Sequence, residues 1–363
     1  MRTAVRIVSL LSMIALMPGG CGMARRQSFV TPTVAVSQSL VAIRDAGILR
    51  LVDPMTGSER WWMGSRDASL GLAAGSGDTI FASITTADGT STEIQAISLQ
   101  GRTAERIATL PGSAYAKRVS PDGAHLSLLT SVGSGAASEP DRVLDLTIPA
   151  QWRSTARNAP PPLTGSSALV TDGGTWYHLV GATLETGTHV AGDSLVVSRL
   201  SLPAPDAFTS SLLMAPDGRT LYVVDYRYGE SIYVIGVAQG AVVRTVGIRP
   251  QETTKQTTCA ASLSSQGDRL YIAANNGAHG NGIDVIDTTT MQRVANLLPE
   301  RTFYCLAISP DGKSLYAASG GPIVAAQKDA TLTTIDTRTG GEERTVPIAI
   351  EVSPALVLAV LSD

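Results

Sequence analysis

The segment Ser309-Pro-Asp-Gly-Lys-Ser-Leu-Tyr316 has three close relatives elsewhere in this 363-residue chain. They are Ser120-Pro-Asp-Gly-Ala-His-Leu126, Ala215-Pro-Asp-Gly-Arg-Thr-Leu-Tyr222 and Ser264-Ser-Gln-Gly-Asp-Arg-Leu-Tyr271. Each lies between two short apolar runs. Proline presets φ for the first turn position, aspartate hydrogen-bonds to its own backbone, and glycine takes a positive φ. Each copy therefore predicts a hairpin turn that joins two strands.

A second repeated element contains an apolar strand that enters an Asp/Thr/Gly turn, and another strand follows it. The copies are Leu51-Val-Asp-Pro-Met-Thr-Gly57, Val285-Ile-Asp-Thr-Thr-Thr-Met291, Thr334-Ile-Asp-Thr-Arg-Thr-Gly340 and the degenerate Ala96-Ile-Ser-Leu-Gln-Gly101 and Val234-Ile-Gly-Val-Ala-Gln-Gly240. One unit therefore contains two hairpins, which means four strands. The units are anchored at Asp53, Ser98, Thr147, Ser201, Val237, Asp287 and Asp336, in steps of 36 to 54 residues.

Seven four-stranded units of this period predict an all-β, seven-bladed β-propeller over residues 31–363. Residues 132–166 fit the repeat least well, so six or eight blades are the alternatives. A closed ring must join its two ends, because an open ring leaves strand edges unpaired. The tail, Pro347–Val352 and Ala355–Val360, has a strand pattern without a turn motif of its own. We expect it to pair with the first unit around Val34–Val52.

The repeats resemble those of the YVTN family of bacterial surface propellers, which read roughly Pro-Asp-Gly, then Leu-Tyr-Val, then Val-Ile-Asp-Thr. The resemblance is good over residues 205–346 and weaker over 33–200. It implies a propeller and says little about activity. The Gly-His and Trp-Asp signatures of WD40 repeats are missing from the sequence.

The composition excludes several classes of protein. The chain carries 16% charged residues and a formal net charge of −3. Nucleic-acid binding needs a basic surface, so no nucleic-acid partner is expected. Three cysteines in the whole sequence exclude a disulfide-framework domain and a multi-cysteine metal cluster. We expect a monomer without cofactor or metal.

The first thirty residues have the pattern of an export signal. Arg2 and Arg6 precede an apolar run, Ile7–Met17, that is too short to span a bilayer as a helix. Pro18-Gly-Gly-Cys21 then resembles the lipobox of bacterial lipoproteins, which implies lipidation of Cys21 and an extracytoplasmic, membrane-anchored protein. The pattern divides the chain into a signal peptide (1–20), a linker (21–30) and the propeller. Plain secretion and an uncleaved anchor are the alternatives.

Candidate binding residues lie in the loops between second and third strands and in the connections between units. In a propeller these segments share one face around the channel mouth, where ligands bind because many loops converge on a rigid scaffold. The candidates are Tyr226, Arg227, Tyr228, Glu230, Asn275, Asn276, His279, Asn281, Arg249, Glu252, Arg301 and Tyr304. Tyrosine, arginine and asparagine suit a protein, peptide or glycan partner. The alternative is a set of solvated loops without a partner.

Two functions remain open from the sequence. The first is a non-catalytic binding or scaffold module. The second is a hydrolase, because lactonase-like propellers share the Pro-Asp-Gly and Leu-Tyr repeats. That resemblance implies hydrolysis of a sugar lactone at the channel mouth by His, Arg and Glu. The candidate bases would be Glu230, Glu252, Glu300 and His279.

Cys259 and Cys305 lie in the first strands of units six and seven, one residue out of register with each other. One residue along a strand is one face of the sheet, so the offset is consistent with two thiols in the same interblade space. An exported protein can keep such a disulfide. The alternative is two small buried side chains.

Overall fold

The fold is seen in a computed structural model that describes only part of the chain. The described residues are 40–45, 48–64, 69–74, 79–98, 103–119, 123–132, 139–152, 168–170, 175–190, 193–203, 210–225, 231–248, 260–273, 282–309, 311–319, 329–350 and 354–361. All of them belong to one compact unit, Ser37–Asp363. The predicted signal peptide, the linker and the lipidation site Cys21 lie outside the described residues.

Almost all of the described secondary structure is β-strand. The strands of the first half are β1 (Leu40–Asp45), β2 (Ile48–Val52), β3 (Glu59–Gly64), β4 (Ser69–Ala74), β5 (Thr79–Thr85), β6 (Ser91–Ser98), β7 (Thr103–Pro111), β8 (Ser113–Val119), β9 (His125–Val132), β10 (Glu139–Thr147), β11 (Ala168–Val170), β12 (Thr175–Val180), β13 (Thr183–Val190) and β14 (Asp193–Ser201). Those of the second half are β15 (Ser210–Met214), β16 (Thr220–Asp225), β17 (Ser231–Gly236), β18 (Ala241–Gly247), β19 (Ala260–Leu263), β20 (Arg269–Ala273), β21 (Ile283–Asp287), β22 (Gln292–Leu297), β23 (Cys305–Ile308), β24 (Ser314–Ser319), β25 (Thr331–Asp336), β26 (Glu342–Pro347) and β27 (Pro354–Leu361). A single turn of 3-10 helix, Ala150–Trp152, follows β10.

These strands form seven antiparallel sheets, which are the blades. Blade 1 has the strand order β27-β1-β2-β3, and blades 2 to 7 begin with β4, β8, β11, β15, β19 and β23. The first strand of every blade contacts the first strand of the next, and β23 contacts β27, so the series closes on itself. The protein is a seven-bladed β-propeller, and the predicted all-β class is confirmed.

Blade 1 closes the ring, because its first strand comes from the end of the sequence. Strand β27 pairs antiparallel with β1, from Leu40 opposite Leu361 to Asp45 opposite Pro354. The prediction that the tail pairs with the first unit is confirmed. The pairing strand is Pro354–Leu361, and residues 348–350 are not part of a strand.

Blade 3 differs from the others, because only three strands, in the order β10-β9-β8, are present among its described residues. The sequence unit anchored at Ser201 also needs correction. Ser201 ends β14, the fourth strand of blade 4, whereas the third strand ends at Val190. With Val190 as the anchor, the neighbouring steps are 43 and 47 residues instead of 54 and 36.

The two repeated turn motifs lie on one face of the ring, which we call the turn face. In blade 7 the hydroxyl of Thr337, in the second motif, donates to the carbonyl of Gly312, in the first, over 2.6 Å. In blade 6 Thr288 donates in the same way to Gly267 over 2.7 Å. The aspartate of the second motif caps its own turn, since Asp336 Oδ1 accepts from the backbone N–H groups of Arg338 and Thr339 at 2.7 and 2.8 Å.

The core consists of seven apolar clusters, one in each interface between neighbouring blades, which we call seams. Five of the seven second strands send an aromatic ring toward the next blade, where it meets an aliphatic side chain that begins the apolar run of the next second strand. The five pairs are Phe81 and Leu126, Tyr177 and Leu221, Tyr222 and Leu270, Tyr271 and Leu315, and Tyr316 and Val41. Burying these rings stabilises the contacts between blades.

The outermost strand of each four-stranded blade carries a β-bulge. A register shift interrupts the pairing of the third and fourth strands in blades 1, 2, 4, 5, 6 and 7. In blade 5 it leaves Val243 between the paired residues, 57% exposed. A bulge twists the edge and makes it a poor template for another strand, so the rim is guarded against edge-to-edge association.

Candidate functional site

The face opposite the turn face contains the ends of the second strands and the connections between blades, and we call it the loop face. Most of the predicted binding residues fall in segments outside the described residues. These are Tyr226, Arg227, Tyr228, Glu230, Arg249, Glu252, Asn275, Asn276, His279 and Asn281. The described part of the prediction is Arg301 and Tyr304, together with the candidate base Glu300.

The side chain of Arg301 is hydrogen-bonded to blade 7. It lies in the connection from β22 to β23, and its guanidinium donates to Thr345 Oγ1 at 2.7 Å and Thr333 Oγ1 at 3.3 Å. The same group pairs with Glu342 at 3.0 Å. These contacts with three residues of blade 7 fasten the connection to the blade it enters.

Tyr304 and Glu300 differ in their surroundings. Tyr304 is half-buried and packs against the cluster between blades 7 and 1, and its backbone N–H donates to Ala318. Glu300 is exposed on the same connection. Of these three residues, Glu300 has the most exposed side chain.

Ser210 and Asp225 form a buried polar pair at the loop-face end of blade 5. They are cross-strand neighbours on β15 and β16, with relative exposures of 5% and 3%. Leu212 and Val223, which follow with the same alternation, pack into the seam with blade 4, so Ser210 and Asp225 face that seam as well. The Ser210 hydroxyl has no hydrogen-bond partner in the structure.

Sister blades show that this carboxylate is a departure from the repeat. Asp225 directly follows Leu221–Val224, and the residue that follows the same run in blade 7 is Ser319. Ser319 Oγ and Thr331 Oγ1 are hydrogen-bonded to each other at 2.7 Å. Burying a carboxylate costs more than burying a hydroxyl pair unless the carboxylate is paired, so Asp225 at the root of a loop is a candidate functional residue.

The pair was missed from the sequence, although a signal was present. Asp225 stands directly before the predicted loop Tyr226–Glu230, and alignment of the repeats would have set it against Ser319. Chemically, the carboxylate accepts hydrogen bonds, and the serine hydroxyl both donates and accepts. Together they suit a ligand group that carries N–H or O–H.

Cys305 is 2% exposed and packs in the cluster between blades 7 and 1. That seam is on the opposite side of β23 from blade 6, whereas the predicted disulfide needs Cys305 to face blade 6. Cys259 lies outside the described residues, so the bridge stays a prediction.

His178, interpreted from the sequence as a packed strand histidine, is buried at 4% exposure in β12. Within the described ranges, no three His, Cys, Asp or Glu side chains converge in a way that could hold a metal ion. The same ranges contain no apolar helix of the length that a bilayer crossing requires.

Comparison with known proteins supports the fold. No protein-family model matches the chain, and no curated protein matches its sequence. Among solved structures, the periplasmic gluconolactonase of Pseudomonas aeruginosa is similar, with a TM-score of 0.63 and 15% identity over 89% of this chain and 100% of that one.

Two further solved structures match over nearly their whole length. A functionally unknown protein from Desulfotomaculum acetoxidans gives a TM-score of 0.61 and 12% identity over 90% of this chain and 99% of that one. A putative 6-phosphogluconolactonase from Bacteroides fragilis gives 0.59 and 15%, with the same coverage. Identities this low show a shared fold alone.

Proposed function

We propose that this protein is an extracytoplasmic, lipid-anchored binding propeller whose loop face holds a protein, peptide or glycan partner. The observation that carries the proposal is the buried pair Ser210 and Asp225 at the loop-face end of blade 5. Its position at the root of the predicted loop Tyr226–Glu230 links it to the residue types that form binding hot spots. The partner would place a hydrogen-bond donor against the carboxylate.

Two aspartates of blade 5 offer a matched test of this face. Asp225 lies at the loop face, and Asp217 lies in the turn at the other end of the same blade, where its Oδ1 accepts from the Arg219 N–H at 2.9 Å. The experiment is pull-down from native envelope extract with the mature protein, its D225N variant and its D217N variant, followed by titration of the purified partner. We expect D225N to lose at least tenfold in affinity and D217N to bind normally.

Equal binding by all three proteins, or loss with D217N only, would place the partner elsewhere. Both variants are compared with the wild type by thermal melting, so that a folding defect is separated from a binding defect.

The anchor is tested separately from the partner. Replacing Cys21 with serine should abolish globomycin-sensitive processing and partitioning into the detergent phase. Release of the wild-type protein into the medium would contradict lipid anchoring and favour plain secretion.

Lactone hydrolysis is the second candidate, with the buried Asp225 as its general base, and it is favoured by the likeness to solved structures described as lactonases. The assay is hydrolysis of glucono-δ-lactone by the wild type and by D225N. Turnover above the spontaneous rate that D225N loses would favour the enzyme. A rate equal to the spontaneous one in both proteins would exclude this reaction.

A further inference from the structure

The seam between blades 3 and 4 has polar groups where five of the other six seams have an aromatic–aliphatic contact. Its apolar cluster consists of Leu129 and Trp176, with Val196 against them. Repeat alignment sets Ser127 at the position of Tyr222 and Tyr271, because each comes directly after the leucine that follows a turn motif. Trp176 occupies the position of Leu221 and Leu270 on the opposite side of the seam.

Both polar groups are buried and lack hydrogen-bond partners. Ser127 and Trp176 are each 3% exposed. The Ser127 hydroxyl and the Trp176 indole N–H make no hydrogen bond in the structure. In the other seams, the side chains at these two positions belong to a single cluster, so the two groups face each other across one interface. His178, 4% exposed, follows Trp176 with the same alternation and faces the same seam.

An orphaned polar group inside a protein costs roughly 1–3 kcal/mol, so two of them in one interface require an explanation. The indole N–H can only donate, and the hydroxyl can donate at the same time. A single oxygen atom can accept both hydrogen bonds. Water and a small carboxylate can each supply such an atom.

We propose that the seam between blades 3 and 4 encloses a small oxygen-bearing molecule that accepts hydrogen bonds from Ser127 and Trp176. The molecule replaces the contact that an aromatic ring makes in the sister seams. This site is separate from the loop face of blade 5, and it stands or falls independently of the proposed partner.

Ser262 provides the control for the hydroxyl. It is 1% exposed, its hydroxyl also lacks a partner, and it neighbours Tyr271 in the apolar seam between blades 6 and 7. S127A and S262A therefore remove the same atom from two seams, and among the described residues only the seam between blades 3 and 4 has a second orphaned group. Trp152 provides the control for the indole, because its N–H already donates to Glu105 at 3.0 Å.

The test is the sign of the change in melting temperature. If a molecule joins the two groups, S127A and W176F each lower the melting temperature by about 1–2 °C. S127A then has a smaller effect in the W176F background, because both groups bind the same molecule. S262A leaves the temperature unchanged or raises it. An unchanged or raised temperature for both S127A and W176F overturns the proposal.

Sodium acetate, titrated against sodium chloride at equal ionic strength, identifies the occupant. A rise in melting temperature that W152F keeps and W176F loses assigns a carboxylate to the seam. No acetate effect, combined with destabilisation by S127A and W176F, assigns water.

Discussion

The seam between blades 6 and 7 and the seam between blades 3 and 4 use the same strand positions with different residues. Between blades 6 and 7, Tyr271 meets Leu315 within a large apolar cluster. Between blades 3 and 4, the large residue is Trp176 on the later blade and the small one is Ser127 on the earlier blade. Each of these two seams thus keeps one large and one smaller side chain, and the blade that supplies the large one differs.

Hydrogen bonds on the outer side of the ring also join neighbouring blades. Arg344 on β26 donates to the carbonyl of Met55 in the next blade at 3.0 Å, and Arg244 on β18 donates to Thr290 in the next blade at 2.9 Å. Each arginine comes from the outer strand of one blade and reaches the turn of its neighbour. The seams between blades 5 and 6 and between blades 7 and 1 therefore have polar links in addition to their apolar clusters.

The largest expected effect comes from opening the ring at blade 1. Deleting residues 348–363 removes β27 and leaves β1 with an unpaired edge. We expect loss of the cooperative unfolding transition, measured by circular dichroism on heating. A sharp and unshifted melting curve would contradict this prediction. It would show that the ring, including the seam between blades 3 and 4 with its small apolar cluster, is stable without closure.

A smaller effect is expected from converting the irregular seam to the regular type. S127Y alone overpacks the seam and should cost about 1–3 kcal/mol, while W176L alone leaves a cavity and should cost about 2–5 kcal/mol. The double variant restores the tyrosine–leucine pair and should lose less than the sum of the two, as measured by urea unfolding. Strict additivity would show that the two positions are not in contact.

Turn glycines test how closely neighbouring blades pack at the turn face. Gly218 and Gly267 have similar φ values of +68° and +76°. A Cβ on Gly218 meets nothing within 4 Å, whereas one on Gly267 lies 2.6 Å from the ring of Pro216 in the neighbouring blade. G218A should cost about 1–2 kcal/mol for the left-handed backbone alone. G267A should cost measurably more in the same denaturation assay, and equal costs would refute a tight contact there.

The smallest expected effect is on the pH dependence of the free energy of unfolding. Hydrogen bonds from the backbone of Thr339, then of Arg338, outweigh burial and hold the pKa of Asp336 below its usual 3.8. Because the folded pKa lies below the unfolded one, this carboxylate stabilises the fold above about pH 4, and the stabilisation is lost as the pH falls through the folded pKa. D336N should therefore lose less stability than the wild type between pH 5 and pH 3. The measurement is the urea unfolding midpoint at each pH.

Blade 5 has Gly236 at the position of Asp336, so its turn lacks this carboxylate and offers the internal control. A variant that introduces aspartate there, G236D, should steepen the same acid-dependent loss. An unchanged profile in both variants would assign the acid sensitivity to other groups.

The fold was predictable because turn chemistry is local. Pro-Asp-Gly and Asp-Thr-Gly mark hairpins wherever they occur, and their spacing fixes the number of blades. The seam between blades 3 and 4 was not predictable in the same way, since the exchange of large and small residues between Ser127 and Trp176 is visible only once the facing strands are known. Asp225 was predictable from the sequence, because the repeats align it with Ser319, but it lies one residue before the predicted loop, which begins at Tyr226.

In blade 2, a turn that resembles the first motif lies on the loop face and not on the turn face. Thr86-Ala-Asp-Gly89 resembles the first turn motif, and Asp88 Oδ1 accepts from the Thr86 hydroxyl at 2.6 Å and from the Thr90 N–H at 3.1 Å. This turn joins the second and third strands of its blade, so it lies on the loop face. Turn chemistry therefore fixes the hairpin, and the strand order decides on which face it lies.

The pairing of β1 with β27 imposes an order on the synthesis and folding of the protein. The paired residues are 309 to 321 positions apart, so every other blade can be synthesised before blade 1 is complete. Loop-closure entropy grows slowly, and joining ends this distant costs only about 2 kcal/mol more than closing one blade-length loop. The delay matters more than the free energy: until its last strand arrives, the nascent ring is an open arc with an exposed β-strand edge, which a chaperone or a second copy could occupy.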